Sequence, residues 1–224
     1  MTTELKYRLA VESDTDAIAD FLFAYFYKEE PCTQAMRIPL EEVIDLYRDI
    51  VIRCLKFPFS TLVTTETGDI AAVLLVSVWN RHDSLEDNDY EGAQSSEEIT
   101  AFIKLLNDIH SDFWSLAPSN IDAVLHREVS SVAPLFQRKG IATRLLTENM
   151  NQEKLGSYKI GGVISETSSY CNQCLLEKHG FKPLKKIAYS SVVDSQGHPI
   201  LKTTDGSQAI VLNYKPISEF EICH

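Results

Sequence analysis

The sequence predicts an α/β fold in which a single mixed central sheet is flanked by helices. Three observations carry this. Strand-like and helix-like runs alternate along the 224 residues, 44% of which are hydrophobic, enough for a substantial core. A glycine-containing turn, Gln137-Arg138-Lys139-Gly140-Ile141-Ala142, joins a long strand-like run to a helix-like one. No repeat, linker or low-complexity tract interrupts the chain, so its length suits one domain spanning residues 1–224.

Leu5 to Leu9 reads as an edge-like strand. Ser13 then offers a helix N-cap with Asp16 at the third helical position, and Ile18, Phe21, Leu22, Tyr25 and Phe26 recur at helical spacing. That helix must end near Glu30, because Pro31 disfavours helical geometry in the residue before it. Pro39 suits the first turn of a second helix, whose apolar face runs through Val43, Ile44, Tyr47, Ile50, Val51, Cys54 and Leu55. Leu62 to Thr65 and Ile70 to Trp79 flank Glu66-Thr67-Gly68-Asp69, a hairpin signal. Asn80 to Glu98 is polar and acidic without a period, and reads as a mobile insertion. Ile99 to Leu116 is helical again. A strand from Ile121 to Val132 leads into the glycine turn and a helix over Thr143 to Met150. A strand follows from Lys159 to Glu166, then a short helix from about Ser169, then strands over Lys185 to Val193 and Gln208 to Tyr214.

A net charge of −11 argues against a general nucleic-acid binder, which would carry a basic face. An acidic surface can favour approach of cationic amines, but solubility is the weightier reading, because net charge says nothing about a pocket. No apolar run approaches the length of a membrane helix, so no membrane partner is expected. The start, Met-Thr-Thr-Glu-Leu-Lys-Tyr, lacks a charged-then-apolar signal, and a cytoplasmic location is expected. Five scattered cysteines (Cys32, Cys54, Cys171, Cys174 and Cys223) fit a reducing compartment. Cys171-x-x-Cys174 has no second ligand pair and the histidines show no ligand spacing, so no metal is expected. The two cysteines read as small packing residues, with Cys171 near a pocket. The sequence leaves oligomeric state open, with a monomer favoured.

The glycine turn carries the chemistry. A strand, a tight turn and a helix N-terminus leave unpaired N–H groups pointing outward, and the helix dipole favours negative charge there. Gly140 lets the backbone approach a ligand closely, and a pyrophosphate is the obvious anion. No Gly-Lys-Ser/Thr follows, as a nucleotide-triphosphate loop would require, and the pattern is not Gly-x-Gly-x-x-Gly.

Gln137-x-x-Gly140-x-Ala142 between strand and helix resembles the acetyl-coenzyme A loop of the GCN5-related N-acetyltransferases (GNAT superfamily), Gln/Arg-x-x-Gly-x-Gly/Ala. Glu177-Lys178-His179-Gly180-Phe181 is similar to the later Glu-Lys-x-Gly-Phe element of the same family. Tyr25-Phe26-Tyr27-Lys28-Glu29-Glu30-Pro31 resembles the Phe-Phe-x-Asp/Glu-Glu-Pro segment of the arylalkylamine N-acetyltransferases of insects and nematodes. The resemblance spans about Leu5 to Lys215. It implies the GNAT fold, in which the strand before the turn splays from its neighbour to bind acetyl-coenzyme A.

By that resemblance, the N–H groups of Arg138, Lys139, Gly140, Ile141, Ala142 and Thr143 hold the pyrophosphate, and Ser131, Val132 and Ala133 pair with the pantetheine arm. A backbone N–H, that of Val132, polarises the acetyl carbonyl. Arg138 and Lys139 add charge or form a solvated pair. Glu30 matches the catalytic glutamate, with Glu29 in reserve; without the resemblance, Glu29-Glu30 reads as a solvated helix end. Counting back from Glu177, Ser168 and Asn172 align with two catalytic serines, and Asn172 departs from the pattern because an amide cannot relay a proton as a hydroxyl does. Leu176 stands where many members carry a tyrosine that protonates the leaving thiolate. Tyr25 and Phe26 are mostly core in character but also suit the wall of an aromatic pocket.

The reading that follows is acetyl-coenzyme A-dependent N-acetylation of a small primary amine, with arylalkylamines such as dopamine, tyramine, octopamine, serotonin and tryptamine first. A polyamine or protein-amine acetyltransferase is the alternative within the enzyme class. A non-catalytic coenzyme-binding sensor is the alternative outside it.

Overall fold

The computed structural model describes residues 4–83, 96–194 and 196–222. Its strands are β1 (Leu5–Leu9), β2 (Thr61–Thr65), β3 (Ile70–Asn80), β4 (Ala123–Val132), β5 (Ile160–Thr167), β6 (Lys182–Ala188) and β7 (Ala209–Pro216). They form one sheet in the order β1-β2-β3-β4-β5-β7-β6. Every neighbouring pair is antiparallel except β4 and β5. The fold class is the mixed α/β arrangement expected from the alternation of elements.

The helices are α1 (Thr15–Phe21), α2 (Tyr27–Glu29), α3 (Pro31–Met36), α4 (Leu40–Leu55), α5 (Glu97–His110), α6 (Phe113–Leu116), α7 (Ile141–Arg144), α8 (Gln152–Ser157) and α9 (Tyr170–Lys178). A π-helical stretch, Leu22–Phe26, joins α1 to α2. On one face of the sheet Ile18, Leu22, Val51, Ile103 and Ile109 pack with Val73, Leu75 and Ile164. On the other, Ile141, Leu145, Leu155 and Leu176 pack with Leu74, Leu125 and Val163. β3 is buried on both faces, which is why Ile70 to Val76 reads as a continuous apolar run rather than an alternating one.

Several boundaries differ from the sequence reading, each for a local reason. Ser13 lies in a 3₁₀ turn, and Asp14, tied to Arg8 and to the Val11 N–H, stands at the N-cap of α1. Pro39 is the N-cap of α4 rather than its first helical residue, with extended geometry at ψ 146°. The run from Ile99 to Leu116 is two helices, because α5 ends at His110 before α6 begins. The helix after the glycine turn is only α7; the chain then turns through Asn149, whose φ is 60°. The strand expected over Lys185 to Val193 runs instead over Lys182–Ala188, with Tyr189–Ser191 in a 3₁₀ turn. Most of the expected 80–98 insertion lies outside the described residues.

Gly161 and Gly162 open β5 where bulk is excluded. A Cβ on Gly162 would meet the Tyr214 ring, and one on Gly161 would lie 2.5 Å from Ile121 Cγ2. Gly162→Ala is expected to destabilise the protein by about 1–3 kcal/mol through overpacking, read as a lower urea midpoint.

Candidate active site

The parallel ladder between β4 and β5 is short. It pairs Ala123, Val124, Leu125 and His126 with β5 and stops at Ile164. Beyond it β4 remains paired with β3 as far as Val132, and β5 with β7 as far as Thr167. The strands part as a fork, which leaves inner-edge main-chain groups of both for a ligand. Ser165 Oγ bonds to the Arg127 carbonyl at 3.2 Å across the start of the opening. A bulge places Glu128 as an extra residue on β4, between the pairs Leu75–Val129 and Val76–Arg127.

A cavity of about 480 Å³ is lined by both arms of the fork. It brings together the predicted residues Phe26, Glu29, Glu30, Ser131, Val132, Gln137, Arg138, Ala142, Ser168 and Asn172. Cys171 lines it too, as the sequence suggested.

The turn after β4 has the form of an anion nest. Arg138 and Gly140 both adopt left-handed geometry, with φ of 61° and 80°. Among the described residues, no N–H from Arg138 to Thr143 donates to another part of the chain; intrachain pairing resumes with Arg144 N to Gly140 O at 3.0 Å. Successive free N–H groups in such a turn form a concave anion site. Gln137 anchors it: its Nε2 donates to the Val132 carbonyl at 3.0 Å and to the Glu29 carboxylate at 2.9 Å. Lys139 instead folds back, its Nζ 2.8 Å from the Leu135 carbonyl and over the Phe136 ring. Lys139, Gly140, Ile141 and Thr143 bring main chain to the turn but do not line the cavity, nor does Ala133, which is buried in the core.

Glu30 is not a solvated helix end. It is 6% exposed and sits at the break between α2 and α3, with ψ 115°. Its carboxylate accepts from Cys32 N at 3.1 Å and Thr33 N at 2.6 Å, so it is the N-cap of α3, with Pro31 beginning that helix. A carboxylate offers several lone-pair sites, so these bonds leave it able to accept from a ligand as well. Glu29 is exposed and engaged with Gln137.

Tyr25 corrects an expectation. It is 38% exposed, stacks on Phe21 and does not line the cavity. The π-helical stretch widens the turn, so the phase of the aromatic stripe slips: Phe26 turns inward against Tyr47, and Tyr25 turns out.

The sequence reading missed several lining residues. Arg127, Glu128, Ser165, Glu166 and Asp205 all reach the cavity. Arg127 is fully buried, its guanidinium nitrogens without hydrogen-bond partners among the described residues; burial draws its pKa down to about 10, with the Glu166 charge opposing. Burial works against the charge of Glu128, but His126 and Arg53 outweigh it and hold Glu128 below the usual carboxylate range. Burial likewise works against Glu166, and its two neighbours His126 and His110 hold it well below that range. Only the alternation of β4 hinted at any of these, because the partners come from distant elements. Ser168 is fixed through its carbonyl, which accepts from Tyr189 Oη at 2.7 Å. Leu176 is wholly buried, and its hydrocarbon side chain offers no acid at that position.

No protein-family model matches the chain, and no curated protein matches it. Solved structures do. Arylalkylamine N-acetyltransferase 2 from Aedes aegypti superposes with a TM-score of 0.81 at 18% identity, covering 96% of this chain and 99% of that one. The polyamine N-acetyltransferase of Drosophila melanogaster, an enzyme that catalyses the formation of N-acetylagmatine, superposes with a TM-score of 0.78 at 17% identity, covering 96% and 100%. At these identities the likeness establishes the fold: the chain has the N-acetyltransferase fold that its sequence resembles.

Proposed function

We propose that this chain transfers the acetyl group of acetyl-coenzyme A to a small primary amine, with an arylalkylamine as the first choice. One observation carries the reading. A single cavity runs along the β4–β5 fork and joins the anion turn at Gln137, Arg138 and Ala142 to the buried Glu30 and the half-buried Ser168 and Asn172.

The reaction needs a held thioester, a neutral amine and a donor for charge developing on the carbonyl oxygen. The turn from Arg138 to Thr143 holds the pyrophosphate, and the free edge of β4 at Ser131 to Ala133 aligns the pantetheine arm. The Val132 N–H polarises the acetyl carbonyl. An alkylamine has a pKa of roughly 10, so it arrives mostly protonated. Glu30 takes that proton, directly or through water, and the amine attacks in a ternary complex. Ser168 and Asn172 hydrogen-bond the reacting groups. A coenzyme thiol with a pKa of about 8.5, like free cysteine, leaves with little acid assistance, which suits a site whose acid position is Leu176. The chain acts in a reducing compartment, the cytoplasm, where Cys32, Cys54, Cys171 and Cys174 persist as thiols.

A second reading has its own observation. Glu29 and Asp205 line the cavity, and carboxylates there suit a polyamine's second cation. An amine panel with acetyl-coenzyme A, followed by thiol release, separates the two. The expected order in kcat/KM is tryptamine or dopamine above spermidine, and spermidine above a lysine peptide, because Phe26, Tyr47 and Phe102 give the cavity an aromatic wall. Spermidine leading the panel would replace the arylalkylamine reading with the polyamine one. Coenzyme binding without turnover of any amine would leave a non-catalytic coenzyme sensor.

A further inference from the structure

On the α4–α5 side of the sheet a second cavity, of about 750 Å³, is floored by His110, His126, Glu128 and Glu166 and walled by Trp79 and Arg53. We propose that His110, His126 and Glu166 form a binding site for a divalent transition-metal ion of the zinc class. Glu128 and Glu166 line both cavities, but the proposal does not rest on the acetyl-transfer reading.

Three rigid elements supply the donors: the end of α5, the last residue of β4 still paired with β5, and the end of β5. One ligand atom from each lies within 4.8 Å of the others. His110 Nε2 is 3.2 Å and His126 Nε2 2.5 Å from Glu166 Oε2. Two imidazoles and a carboxylate are a donor set for zinc-like ions, whereas calcium and magnesium call for oxygen throughout.

Two further observations point to a ligand. His110 Nε2, close as it is to Glu166, makes no hydrogen bond, and the Nε2 of His126, a residue 2% exposed, reaches the same carboxylate. A buried ring nitrogen left in that condition is costly, and an ion bound at His110 Nε2 satisfies it. The surroundings also supply an orienting shell. Glu128 Oε1 lies 3.9 Å from His126 Nδ1, and Arg53 Nε grips the Glu128 carboxylate at 2.8 and 3.0 Å. A carboxylate behind a ligating imidazole fixes the ring and raises its basicity. Trp79 packs on both imidazoles, with ring centroids 4.1 Å from His126 and 5.0 Å from His110. The cavity gives the ion a path and room for a water as a further ligand.

At 2.5 Å the His126–Glu166 pair is a hydrogen bond, closer than two ligands of one ion stand. Ligands about 2 Å from a tetrahedral ion are roughly 3.3 Å apart. Binding at Nε2 therefore places the His126 ring proton on Nδ1, on the side facing Glu128, and parts His126 from Glu166 by less than about 1 Å.

The test uses the metal-stripped full chain, with Zn²⁺ followed by calorimetry and Co²⁺ by absorption. One ion per chain at micromolar affinity or tighter is expected, with a visible cobalt band and no thiolate charge-transfer band. His110→Ala and Glu166→Gln should each weaken binding roughly tenfold or more. If Glu166→Gln fails to fold, His110→Ala, at the partly exposed end of α5, still reports on the site. A thiolate band would place the ion on cysteine sulfur and overturn the proposal. So would affinity unchanged in a folded His110→Ala, or no cobalt band at millimolar cobalt; the triad would then be a hydrogen-bonded cluster only.

Discussion

Gly140→Asp is expected to lower coenzyme affinity about a hundredfold while the fold survives. Gly140 has φ 80° and ψ 0°, and a Cβ built there meets nothing within 4 Å. Left-handed geometry costs an ordinary residue about 1–2 kcal/mol, but aspartate is among the residues that tolerate it best. The added carboxylate enters the turn beside the unpaired N–H groups. At about 5 Å and an effective dielectric near 20, like charges repel by about 3 kcal/mol, which is about a hundredfold. Gly140→Asn carries the same shape without the charge and should lose much less. Calorimetry with acetyl-coenzyme A reads both. Equal affinity for a folded Gly140→Asp and the parent would remove the anion site from this turn.

Glu30→Gln is expected to cut turnover by about 10²–10⁴-fold at neutral pH, the usual contribution of a general base. The variant must be chosen with the cap in mind, since Glu30 also accepts from Cys32 and Thr33. An amide keeps only one accepting atom, so Glu30→Gln should cost about 1 kcal/mol in stability as well. Glu30→Asp separates the two roles. Aspartate is a favoured N-cap and should keep α3 in place, but its carboxylate is set back by one methylene from the cavity. Turnover should therefore fall in Glu30→Asp with little change in melting temperature. Coenzyme binding should persist in both variants. Raising the pH toward the amine's own pKa of roughly 10 should partly rescue both, because more amine is then already neutral. Glu29→Gln should have a much smaller effect on this profile. Near-normal turnover in Glu30→Gln, with chemistry rate-limiting, would assign Glu30 to the cap alone.

What was legible in the sequence had local causes. The turn at Gly140 was legible because strand, positive-φ glycine and helix start are contiguous. The break at Glu30 was legible because Pro31 acts on its immediate neighbour, but the burial of Glu30 was not, since it depends on packing around α3. Tyr25 was misplaced because periodicity assumes a constant helical turn, and the stretch Leu22–Phe26 widens it. Glu128 and Glu166 escaped notice for a different reason. Arg53 finds Glu128 across 75 positions, and His126 finds Glu166 across 40. Ligand-spacing rules search along the chain, whereas these groups meet only because β4 and β5 are sheet neighbours and α4 and α5 lie over that face.

The fork between β4 and β5 divides labour between two kinds of atom. Its edges and the turn beyond them present main-chain groups, which every residue type except proline supplies alike. On the proposed reading the fork is the seat of the acetyl donor, and a seat made this way tolerates extensive drift in the side chains along it. The acceptor wall, by contrast, is made of side chains and can be rewritten without disturbing the seat. An 18% identity alongside a TM-score of 0.81 is the outcome such a division allows: a scaffold that keeps its shape while its residues are exchanged.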